Sequence, residues 1–202
     1  MVAFNDVNLD IEWMWNGGKD HFPSDVILAQ TTGLQGGNIS AVHFLLVPQG
    51  EFQRAHDARE QDPERIQSLI RSEWGIRFVH ELIRDRALAH YPLPGLDEEK
   101  RIRAFGYGAP EVEVVNYWAP EEKSAGAPAL ESRNGAVKWI GCWKEKTGEL
   151  LAVLVNWDKT EQKTAFRVNG KFPAAIDERG GEVKLDALSF APFEVKILAM
   201  RP

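Results

Sequence analysis

The chain has 202 residues, a length that favours one domain or two small ones and allows a core burying roughly 70% of the unfolded surface. It falls short of a complete (β/α)8 barrel, which takes about 250 residues. Hydrophobic residues at 44% and charged residues at 27% exclude disordered and collagen-like classes, and a net charge of −6 argues against a general nucleic-acid binder.

Val7, Leu9, Ile11 and Trp13 alternate with Asn8, Asp10 and Glu12, so the first predicted element is a strand over residues 7–13. Asn16-Gly17-Gly18 closes it as a turn. Ser24 is a candidate N-cap for residues 26–32, which read as a short helix or a strand. After Gly33 and Gly36-Gly37, residues 39–47 form a nearly continuous apolar run, the pattern of a buried parallel strand. A long helix follows. Asp62 caps it, Pro63 takes its first position, and Glu64 faces the positive end of the dipole. Ile66, Leu69, Ile70, Trp74, Phe78, Val79, Leu82 and Ile83 make one apolar stripe, ending near His90. Pro92-Leu93-Pro94-Gly95 reads as a linker.

Beyond residue 100 short strands recur: 111–118, 137–144, 150–157, 164–168, 174–177 and 193–200. Residues 121–133 read as an Ala/Pro/Ser/Glu-rich loop. Thr147-Gly148, Asn169-Gly170 and Gly180-Gly181 supply turns. The expected fold is therefore an α/β segment over residues 1–95 followed by an all-β antiparallel sandwich domain over 100–202. Two parallel strands cannot close a barrel, so the α/β segment is expected to be the end of a (β/α)8 barrel whose other strands lie elsewhere. A compact α+β protein is the alternative.

Cys142 stands alone, which excludes an intrachain disulfide and a cysteine zinc site. No His/Asp/Glu group has metal-ligand spacing, so no metal and no cofactor is expected. Gly17-Gly18-Lys19 lacks P-loop spacing, and Asn38-Ile39-Ser40 is a sequon of the kind chance supplies. The N-terminus has no basic segment leading into an apolar run, so no signal peptide is read and localisation stays open. No apolar stretch approaches the roughly 18 residues of a membrane span. The chain opens at once on a strand-like run, as a piece of a longer protein would.

Asp10 and Glu12 are the sharpest chemical feature. Two apart on a strand, they share a face, with Cβ atoms roughly 6–7 Å apart at a rise of about 3.3 Å per residue. They sit near the strand's C-terminal end, where α/β enzymes place their sites. Two close carboxylates repel, which raises one pKa and divides acid from base. The competing reading is a pair of solvated charges on an edge strand. Trp13 and Trp15 flank the acids and suit stacking on a sugar ring, or a place in the core. Gln35 and Asn38, in a glycine-rich loop, are candidates for bonding sugar hydroxyls. His43 is either a hydrogen-bonded core histidine or a substrate contact, and His80 reads as structural.

The run Phe4-Asn5-Asp6-Val7-Asn8-Leu9-Asp10-Ile11-Glu12 resembles the Asp-x-x-Asp-x-Asp-x-Glu strand of chitinase-type (family 18) glycoside hydrolases. The resemblance implies Glu12 as general acid and Asp10 as the residue orienting the substrate acetamido group. Asn5 and Asn8 stand where that family has its first two aspartates, and the family's motif strand is followed by more α/β chain than is present here. A second likeness covers more residues. Gly106-Tyr107-Gly108, residues 112–118, Leu150-Leu151-Ala152-Val153-Leu154-Val155-Asn156-Trp157 and Phe190-Ala191-Pro192-Phe193-Glu194-Val195-Lys196-Ile197-Leu198 are similar to the C-terminal β-sandwich of barrel glycoside hydrolases. Together they imply a glycoside hydrolase-like protein acting on carbohydrate, catalytically incomplete if it is only a C-terminal portion. The alternative is a non-catalytic carbohydrate-binding or structural β module. Expected partners are a carbohydrate ligand and, through strand edges, further copies of the chain. Neither nucleic acid nor membrane is expected.

Overall fold

A computed structural model describes residues 63–79 and 97–202, apart from 119, 121, 122, 170, 171 and 173. The chain divides into two compact units, Met1–Leu93 and Pro94–Pro202. The expected strands at 7–13 and 39–47 and the short element at 26–32 lie outside the described residues.

In the first unit the described element is helix α1, Pro63–Val79. It begins at the predicted proline, whose missing N–H costs nothing in a first turn, and carries Glu64 near the positive dipole end. Trp74 and Val79 are buried, and Trp74 stacks on Phe78 with ring centroids 5.3 Å apart. Ser72 donates to the Ser68 carbonyl one turn back, which satisfies its buried hydroxyl. Residues 80–90, the expected remainder of the helix, lie outside the described residues.

The second unit opens with helix α2, Asp97–Phe105, so the segment expected to be all β from residue 100 begins in a helix instead. Its sequence, Asp-Glu-Glu-Lys-Arg-Ile-Arg-Ala-Phe, has no apolar stripe, and Ile102 is its buried side chain. Charge placement supports it instead: three acids fill the first turn and Arg103 the last. Gly106, at φ 103°, terminates it. The Gly106 N–H reaches the Arg103 carbonyl and the Tyr107 N–H reaches the Ile102 carbonyl, the paired bonds of a Schellman cap.

The remainder is antiparallel β throughout the described residues. The strands are β1 (Val112–Asn116), β2 (Leu130–Ser132), β3 (Val137–Lys144), β4 (Glu149–Asn156), β5 (Gln162–Thr164), β6 (Phe166–Val168), β7 (Ala175–Ile176), β8 (Glu182–Val183), β9 (Leu188–Phe190) and β10 (Val195–Met200). Six form one sheet in the order β1-β3-β4-β10-β7-β8; β2 pairs with β6 and β5 with β9 as separate ribbons. The β3–β4 hairpin turns at Thr147-Gly148 as expected, with Gly148 at φ 68°.

One core cluster fills the sheet face bearing Val115, Trp139, Trp143, Leu150, Leu154 and Leu198, and takes in Leu130 and Phe166 from one ribbon and Leu188 and Phe190 from the other. The opposite face of β3, β4 and β10 is also buried, through Ile140, Cys142, Leu151, Val153, Val155, Val195 and Ile197. Burial of both faces explains why β4 reads as a continuous apolar run rather than an alternating one. Near β1, the Lys144 ammonium lies 4.4 Å from the centre of the Phe105 ring and fastens α2 to this second face.

Two strand expectations change. Residues 164–168 are not one strand: β5 ends at Thr164, Ala165 gives its carbonyl to the Arg133 N–H, and β6 then pairs with a different partner. The apolar alternation runs through Ala165, so the break is invisible locally. The loop expected at 121–133 contains β2, whose three residues offer one buried side chain and too short a pattern to detect.

Candidate functional site

Asp10, Glu12, Trp13, Trp15, Gln35, Asn38 and His43 all lie outside the described residues. Within the second unit a separate cleft of about 630 Å³ opens beside edge strand β1, lined by Pro110, Glu111, Glu113, Trp143, Glu145 and Lys146. Its volume falls in the range of small-molecule sites.

Register creates it. Glu113 on β1 stands directly opposite Trp143 on β3, so carboxylate and indole share one face of the sheet. Glu111 leads into β1, and Glu145 and Lys146 belong to the β3–β4 turn, which brings them to the same end. The Glu113 carboxylate is held in place: Ser124 donates its N–H to one oxygen and its hydroxyl to the other, at 2.5 and 2.6 Å. The same loop presses on the indole. A Cβ on Gly126 would stand 3.2 Å from the Trp143 ring, a tighter contact than side chains usually make, so glycine lets the loop lie close against the indole. Lys123 adds a bond from its ammonium to the Ala127 carbonyl, closing the loop on itself.

The cleft thus combines an aromatic wall, one oriented carboxylate and exposed Glu111, Glu145 and Lys146 at its mouth. The carboxylates accept hydrogen bonds from hydroxyls or amines, the Lys146 ammonium donates them, and the indole offers an apolar surface to a ring. Among the described residues no group of three His, Cys, Asp or Glu side chains is placed to hold a metal ion. Sequence reasoning missed this cleft because its two inner residues are thirty positions apart. The available signal was the i, i+2 pair Glu111 and Glu113 at the head of a predicted strand.

A second polar centre is buried. The Asn156 side chain donates to the carbonyls of Thr160 and Ala191 at 2.8 and 2.9 Å and accepts the Asp158 N–H at 2.9 Å. Nearby, Phe193 adopts φ 56° and gives its N–H to the Asp158 carbonyl. Tyr117, under the Lys138 ammonium at 4.8 Å from its ring centre, has its hydroxyl pushed well above the ordinary range by burial. Neither centre opens on the cleft lining.

No protein-family model matches this chain, and no curated protein matches it.

Proposed function

We propose that this chain is a glycoside hydrolase-like protein acting on carbohydrate, with residues 100–202 as a β-sandwich domain and residues 1–95 as the end of an α/β barrel. The observation that carries the reading is the pairing of the two segments similar to such β domains. β4 and β10 are neighbours, Val155 opposite Val195 and Leu151 opposite Ala199, and Asn156 of the first segment bonds Ala191 of the second. The six-stranded sheet and the two ribbons share one core, as the layers of a sandwich do. On this reading Glu12 is the general acid, Asp10 orients the substrate, and Trp13, Trp15, Gln35, Asn38 and His43 contact sugar.

The test is turnover of a panel of aryl glycosides. Glu12→Gln is expected to abolish hydrolysis while sugar binding survives, and Asp10→Asn, by removing a like charge, to move the alkaline limb of the rate profile to lower pH. Unchanged turnover in Glu12→Gln overturns the assignment.

A second reading, a non-catalytic carbohydrate-binding module, is favoured by the cleft against Trp143. It expects oligosaccharide binding that changes tryptophan fluorescence, persists in Glu12→Gln, and weakens when Glu111 and Glu145 become glutamine. Self-association through strand edges belongs to both readings, and light scattering of the full chain checks it.

A further inference from the structure

We draw no further inference here: the strongest candidate, the cleft beside β1 where Glu111, Glu113 and Glu145 gather near Trp143, belongs to the site already described and is a cluster of acidic side chains with no second observation among the described residues that points to a ligand.

Discussion

Asn156 is fully buried, and its three hydrogen bonds tie the end of β4 to the Asp158–Thr160 loop and to the segment entering β10. Replacing it with alanine leaves two carbonyls and one N–H without their partner. At about 1 kcal/mol or more for each orphaned group, Asn156→Ala is expected to cost on the order of 3 kcal/mol. Urea unfolding would read this as a lower midpoint at unchanged slope. A loss near zero would mean that water replaces the amide. Asp177 acts on the surface. The N–H of Gly181, then that of Arg179, holds its carboxyl below the usual range. A folded value below the unfolded one gives stability that is present above the unfolded value and lost as pH falls through the folded one. The stability gap between the native chain and Asp177→Asn is thus expected to narrow on acidification. Thermal melts across the acid range check this, and a gap independent of pH would refute it.

Among the elements, β3 shows how tightly the ribbons pack on the sheet. Gly141 is buried in mid-strand, and a Cβ there would collide with Leu130 Cδ1 of β2. A glycine weakens a strand interior, so its presence here answers to that contact rather than to backbone preference. Gly141→Ala is expected to destabilise by about 1–3 kcal/mol through overpacking. The penalty should shrink when Leu130→Ala makes room, giving a favourable coupling in a double-mutant cycle of denaturant midpoints. Additive losses would show that the strain comes from the backbone. The cap of α2 follows a similar logic, because at φ 103° Gly106 occupies backbone space that residues with a Cβ avoid.

For the second unit as a whole, the apolar cluster draws on the large sheet and on both ribbons. A chain beginning at Pro94 is expected to unfold in one cooperative urea transition. A chain beginning at Gly108 would lose α2, and with it the burial of Ile102 and the Phe105 ring beneath Lys144. Its stability is expected to fall by roughly 1.5–3 kcal/mol, the value of burying one large aliphatic side chain. Equal midpoints would show that α2 is an ornament on the sheet.

Where structure follows from contiguous residues, the amino-acid order was enough. Proline at the start of α1, Thr147-Gly148 at the β3–β4 turn and the apolar runs of β3, β4 and β10 each state their conformation locally, through backbone dihedral limits and side-chain period. The helix α2 escaped because charges at its ends, not a stripe, support it. The short strands β2, β8 and β9 escaped because two or three residues carry no period. Pairing could not be read at all. Leu130 finds Val168, Gln162 finds Phe190 and Glu113 finds Trp143 only because each arrangement lets distant apolar side chains fill one core, and that condition is met by the whole chain at once rather than by any window of it. The cleft beside β1 inherits this dependence: its residue types were visible, but their meeting was set by antiparallel register.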